Sequence, residues 1–394
     1  MTRCLAFHSS YRCRHSGRCC TSGWPIPVET GLRRRLDEAL ARGALKLPAG
    51  GGHPFADEGE MPPGTQGILR VNAHGACAFY DHGSRRCAVH SALGHDALPV
   101  SCQHFPRVCL VDGAGTFVTL SHYCPTAANL LFQDGPAAPA VGPRFCLADE
   151  RLAVVQAPPG FAPMALEGLD ARDALPPLLH PAMLMDAEAY HAWEAVVVGI
   201  FGGEGPAEEV LAGAIRFTER LRTWEPPRGR LVEAVEAQRG SPGGAERDGV
   251  APALTAAALS LDRIVREAVP PGLQAPSQPP EAANDFARFV APAWPAFARP
   301  VKRYLGARAF ANWCAYQGRG LRTVLCSVAA TLSVLRVEAA RHCAQAGRPL
   351  DTSLLTEAFR SADLLIVHLG SREDLARRLS GIEDESVQEM IEAL

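Results

Sequence analysis

The sequence predicts a mainly α protein in which a small, irregular α+β cysteine-rich metal-binding module, residues 1–146, precedes a helical domain, residues 147–394. Three observations lead there. Ten of the thirteen cysteines fall before residue 147, and only Cys314, Cys326 and Cys343 follow. Apolar residues come first in short runs divided by glycine and proline, then at helical spacing. The chain also has 394 residues, 47% of them hydrophobic, so it can bury a core of its own and is no disulfide-stapled miniprotein.

Pro27 and Thr30 open the first expected helix, Gly31 to Leu45, where Leu32, Leu36, Leu40 and Leu45 stand near helical spacing. A Gly/Pro-rich loop follows, from Pro48 to Gly67. Strands are expected at 67–72 and 108–120, the second folded back at Asp112-Gly113-Ala114-Gly115 as a hairpin turn. The segment 133–142 reads as a linker, and 144–156 as two more short strands. Helices are then expected at 187–201, 206–224, 228–238, 251–269, 285–289, 301–317, 320–346, 352–369 and 372–379. Segments 239–249 and 269–285 interrupt them with turn formers.

A formal charge of -3 with 21% charged residues describes neither a nucleic-acid binder nor a disordered chain. Arg33-Arg34-Arg35, with Asp37 and Glu38 close behind, reads as a solvated helix face. The first twenty residues lack an apolar core ahead of a cleavage site, and no run reaches the roughly 18 apolar residues of a spanning helix. A cytoplasmic protein without a membrane partner is therefore expected. Thiols stay reduced in that compartment, so thirteen cysteines point to metal rather than to disulfides.

The expected ligands are Cys13, Cys19, Cys20, Cys77, Cys87, Cys102 and Cys124. Thiolates are soft ligands, suited to zinc and to iron–sulfur centres. Gly17 and Gly75 permit close backbone approach, while Pro25, Pro99, Pro106 and Pro125 stiffen the turns beside the cysteines. No Cys-x2-Cys pair occurs, which excludes ordinary zinc ribbons and RING-type or LIM-type sites. Seven thiolates exceed the four of one 4Fe–4S cluster, so the reading requires either a second site or cysteines that support the ligands. Cys314, Cys326 and Cys343 are expected to pack in the core as small hydrophobes, and Cys4, Cys109 and Cys146 stand between the two cases. His90, three residues after Cys87, and His104, two after Cys102, are well placed to complete a cysteine site, but no histidine is taken as a ligand.

These residues form an ordered pattern: Cys13 with Cys19-Cys20 and Trp24, Cys77 before Phe79, Cys87, then Cys102-x2-Phe105-Pro106-Arg107, and Cys124-Pro125 with Ala127-Ala128. The pattern, over residues 11–132, resembles the cysteine-cluster family of zinc- or iron-chelating proteins, and within it the flagellin lysine-N-methylases. In the second half only Arg303-Tyr304-Leu305 with Phe310, and Phe359-Arg360-Ser361 with His368, are similar to that family. The resemblance implies a cysteine-bound metal centre, in the first place an iron–sulfur cluster. It also implies methyl transfer from S-adenosylmethionine to lysine amines of flagellin.

The residues themselves do not carry a methyl-donor fingerprint: Gly113-x-Gly115 and Gly50-Gly51-Gly52 are turns, and the Cys-x3-Cys-x2-Cys of radical enzymes is absent. Tyr304, Asp363 and His368 are conceivable polar groups near a substrate amine, but each lies in an otherwise apolar helix and reads first as structural, so no catalytic residue is assigned. The alternative is a non-catalytic zinc- or iron–sulfur-binding protein with a structural, redox-sensing or metal-handling role.

Overall fold

The computed structural model describes residues 1–48, 52–56, 63–72, 75–134, 149–161, 168–238, 257–270, 277–279 and 281–381. A mixed α+β N-terminal region leads into a largely helical C-terminal one. Strand β1 (Thr2–Leu5) belongs to a sheet completed much later in the chain. Between them lies a small unit in which β2 (Pro27–Glu29), β3 (Phe55–Ala56) and β4 (Thr65–Leu69) form one sheet in the order β2-β4-β3. Strands β5 (Tyr80–Asp81) and β6 (Arg86–Cys87) form a hairpin beside it. The Thr30–Ala41 helix covers the unit by burying Leu32, Leu36 and Ala39, and Val28, Phe55, Phe79 and Val89 complete this separate core.

The larger sheet has the order β10-β7-β8-β1-β9, with β7 (Arg107–Asp112) and β8 (Gly115–Leu120) as an antiparallel hairpin. β1 lies parallel to β8 and antiparallel to β9 (Val154–Gln156), and β10 (Gly168–Asp170) runs parallel to β7. The hairpin turn is the expected one, closed by the Asp112 carboxylate accepting from Ala114 N–H at 2.8 Å. Because β7 and β8 are buried along most of their length, the helices cover this sheet. One apolar core runs from Cys4 through the sheet to Leu379.

The helical region is built around the Leu321–Ala346 helix, against which most other helices pack. It is long and apolar enough to cross a membrane, yet 89% of its most apolar window lies inside the protein. Its hydroxyls are satisfied locally: Thr331 donates to the Ser327 carbonyl at 2.8 Å and Ser333 to that of Ala329 at 2.9 Å. The buried carboxylate of Glu338 accepts from Arg266 at 2.8 Å. Asp186 and Asp351 cap the Ala187–Ile200 and Thr352–Asp363 helices by accepting from Ala189 and Leu354 N–H.

Some sequence expectations shift. The helix expected at 301–317 is broken: Ala298–Ala309 ends at extended Phe310 and left-handed Ala311 (φ 54°), and a short helix restarts at Cys314. The break is held from outside, because Ala311 N–H donates to the buried Glu194 carboxylate and the Asn312 amide oxygen accepts from Cys314 N–H. The run expected at 352–369 is α-helical only to Asp363 and continues as a π turn. In place of two strands at 144–156, the described part holds a 3-10 turn at Glu150–Leu152 and β9. Arg33 is not solvated; it pairs with Asp37 at 2.9 Å and lies 4.0 Å over the Phe55 ring. The expected domain boundary at residue 146, the linker end after residue 134, and residues 251–256 lie outside the described residues.

A buried ion cluster ties the hairpin to the helices. His191 meets Asp112 at 2.9 Å and Glu194 at 3.5 Å, stacked on Phe117, and Tyr316 donates to Asp112 at 2.6 Å. Burial opposes the imidazolium, but the two carboxylates outweigh it and raise His191 to about 9. Since the folded value lies above the ordinary 6.5, the stabilisation is complete below pH 6.5 and lost as pH rises through 9. The gap corresponds to roughly 3 kcal/mol at most. Denaturant melts between pH 6 and 10 should show this loss in the parent protein and a flatter profile in His191→Gln; parallel profiles would refute the assignment.

Candidate functional site

A cavity of about 1040 Å³ opens between the small unit and the helical region. All seven cysteines expected as ligands line it: Cys13, Cys19, Cys20, Cys77, Cys87, Cys102 and Cys124. The other described cysteines do not. Cys4 and Cys109 are buried in the larger sheet, Cys314 and Cys343 in helices, and Cys326 is partly buried against the same core. Cys146 lies outside the described residues.

Four of the seven meet at one end. Cys19 and Cys20 occupy a 3-10 turn, Arg18–Thr21, that follows Gly17 in left-handed backbone at φ 73°. A Cβ on Gly17 would stand 2.7 Å from the Tyr80 ring, so glycine is needed both for the angle and for the approach. Cys77 N–H donates to the Cys20 carbonyl at 2.7 Å, and Tyr80 pairs with Cys87 across the β5–β6 hairpin. The sulfurs of Cys19 and Cys20 are 3.9 Å apart. Cys20 also bonds to Cys87, and Cys77 is close enough to feel the charges of Cys19 and Cys87.

The electrostatics of this group follow from one shared proton. The hydrogen bond from Cys20 holds Cys19 below the ordinary thiol range and brings Cys87 down to about 7, against the opposing effect of burial. Bonded to both neighbours, Cys20 is itself pushed well up. Burial raises Cys77 to about 12, although Phe79 N–H donates to its sulfur. Cys87 precedes the Ala88–Leu93 helix and receives His90 and Val89 N–H, which favour charge on that sulfur.

Cys13 and Cys124 form a second group around Tyr11, whose hydroxyl is 3.6 Å from the Cys124 sulfur. Cys124 precedes the Pro125–Leu130 helix and accepts from Ala127 and Thr126 N–H, but burial dominates and raises its pKa. Cys102 sits on the Val100–His104 helix, just before the cis Phe105–Pro106 bond. Among the described residues no group of three or more His, Cys, Asp or Glu side chains is arranged so that it could hold a metal ion. The chemistry of the donors nevertheless fits a thiophilic centre. Cys20 contacts both Cys19 and Cys87, Cys77 lies within electrostatic reach of them, Cys19 and Cys87 are favoured as thiolates, and among the described residues no carboxylate lines the cavity.

Of the other lining residues, Trp24, Phe105, Arg107 and His368 belong to motifs read in the sequence, whereas Phe161, Trp313 and Arg372 gave no signal there. Arg107, Phe161, Trp313, His368 and Arg372 line the other wall, together with Trp24 and Phe105 in the middle. Trp24 packs 4.6 Å from His368 and 5.4 Å from Phe105. Arg372 opens a helix and Trp313 lies in the turn before the Cys314–Gln317 helix, neither with a local motif, so only the fold brings them to the cysteines. Of the polar trio Tyr304, Asp363 and His368, only His368 reaches the cavity, held by Ser121 at 2.7 Å; the other two are bonded to each other in the core. His15, His90, His95 and His104 also line the cavity.

Two outcomes are expected. Gly17→Ala should destabilise the small unit by about 1–3 kcal/mol through overpacking against Tyr80, seen as faster hydrogen exchange in residues 77–90; unchanged exchange there would contradict the contact. In metal-free reduced protein at pH 7.5, iodoacetamide should modify Cys87 at least about tenfold faster than Cys314 or Cys343. Peptide mass spectrometry reads the rates, and equal rates would count against the thiolate assignment. Compared with protein-family models, curated proteins and solved structures, the chain matches none.

Proposed function

We propose that this chain is a cytoplasmic metal-cluster protein in which Cys19, Cys20, Cys77 and Cys87 hold a 4Fe–4S cluster or zinc. We further propose that its reaction is methyl transfer from S-adenosylmethionine to lysines of flagellin or another protein. The observation that supports the metal reading best is the convergence of all seven expected cysteines on one cavity, while the other described cysteines lie elsewhere. The resemblance carried by Cys13 to Ala128 supports the reaction.

A bound centre would supply folding free energy and, if iron–sulfur, one-electron chemistry. The chain's own part is to arrange and protect it. Gly17, the Cys77–Cys20 backbone bond and the β5–β6 hairpin position the four sulfurs. Binding must release the proton that Cys20 shares, so uptake is favoured as pH rises. Trp24 and Phe105 supply apolar cover at the middle of the cavity. A second reading, a metal protein without catalysis, is favoured by the cavity glycines: Gly17, Gly160 and Gly168 belong to no glycine-rich strand-to-helix turn of a nucleotide site.

Anaerobic purification with iron, sulfide and zinc analysis tests the centre. Cys19→Ser and Cys87→Ser should lose most of the metal and Cys314→Ser should keep it; folded parent protein free of all three elements would overturn the proposal. Labelled S-adenosylmethionine with flagellin then tests the reaction. Transfer that disappears with Cys19→Ser supports the methylase, and metal-replete protein without transfer leaves the non-catalytic reading.

A further inference from the structure

The end of the cavity away from Cys19 and Cys87 has a character of its own. Arg107 leaves β7 and donates through Nε to the Phe161 carbonyl, its guanidinium 5.7 Å from the Tyr11 ring centroid and 5.5 Å from that of Phe161. Arg372, at the start of the Arg372–Gly381 helix, stacks 3.6 Å over Trp313 and donates only to the Val367 carbonyl. Among the described residues neither arginine has a carboxylate within 4.0 Å, in a protein where most arginines near the core are paired. Among the described residues no Asp or Glu lines the cavity.

Both guanidiniums are therefore held toward a partly desolvated space with neutral partners only. Their own side-chain geometry is already set by stacking and by carbonyl bonds, so the free N–H edges are preorganised. Desolvation, with Arg308 nearby, brings Arg372 down to about 9. An arriving anion would reverse that effect. Trp24, Phe105 and Phe161 provide an apolar surface next to the charged edge, and the volume of about 1040 Å³ exceeds what a metal centre fills.

We infer that this end of the cavity is a binding site for a small organic anion, a flat ring carrying a carboxylate or phosphate, with Arg107 and Arg372 on the charged group. The site does not depend on the metal reading, since none of its residues is a proposed ligand of the centre. The oxyanion is what the arginines recognise, and the ring is what the aromatic wall accepts.

Paired probes separate charge from shape: benzoate against benzamide for a carboxylate, and adenosine 5′-monophosphate against adenosine for a phosphate. Titration calorimetry and tryptophan fluorescence on purified protein of measured metal content should show at least one anion binding about tenfold more tightly than its neutral partner. Which pair responds identifies the head group. Arg372→Gln and Arg107→Gln should each remove that difference, and Arg372→Lys should restore part of it. Raising salt from 50 to 500 mM should weaken the anion in the parent protein, a readout that holds even if a variant fails to fold. Equal binding within each pair, no binding of any probe, or anion binding untouched by both Gln variants would overturn the site.

Discussion

The buried carboxylate of Asp363 is the constraint on which the joining of the two regions depends. Burial alone would keep it protonated, yet Arg308 at 3.9 Å, the His122 main-chain and ring nitrogens, and the Tyr304 hydroxyl at 2.6 Å hold it well below the ordinary range. A charge removed from water survives only with its partners in place, and stranding one such group costs on the order of 3–5 kcal/mol. The partners come from the Ala298–Ala309 helix and from the segment that leads out of β8. That segment is gripped again one residue later, where Arg360 donates to the Tyr123 carbonyl at 3.0 Å, and further on by Arg303 at the Leu131 carbonyl. Cys124 follows directly. The helical region thus places one cavity cysteine by charge and hydrogen bonding, and the small unit places the others.

Much of the architecture could be read in the chain because its signals are local. Helical periodicity found 187–200, 207–222 and 321–346 nearly to their ends, and Asp112 with its glycines announced the β7–β8 turn. The break at Phe310 to Asn312 was hidden because what breaks it, Glu194, lies more than a hundred residues away. Strands β1 and β10 were hidden for the same reason, being too short to show alternation and strands only by virtue of their partners. For the cavity, the cysteines declared themselves by number and order. Arg107 was visible only as part of a motif, and Arg372 and Trp313 had no signal, since an arginine in a helix is ordinarily a surface residue.

The cavity brings together groups of opposite preference. It gathers sulfur favoured as thiolate at Cys19 and Cys87, and the guanidiniums of Arg107 and Arg372, which among the described residues have no carboxylate within 4.0 Å. The His368–Trp24–Phe105 contacts lie between the two ends. Local field and solvent exclusion in the cavity are set by walls from both regions, so neither region alone defines the site.

The place of β1 in the larger sheet bears on how the chain acquires this structure in time. Residues 2–5 sit in the sheet interior, between β8 at residues 116–118 and β9 at 154–156. During synthesis this strand, Thr2-Arg3-Cys4-Leu5, stays unpaired until β8 and β9 have emerged, after the whole cysteine-bearing small unit. The sheet that supports the Arg107 wall can zip only afterwards, at the entropic expense of a long loop. The topology thus separates a small unit with a core of its own from a sheet, and a cavity wall, that can be completed only when the later segments return to β1.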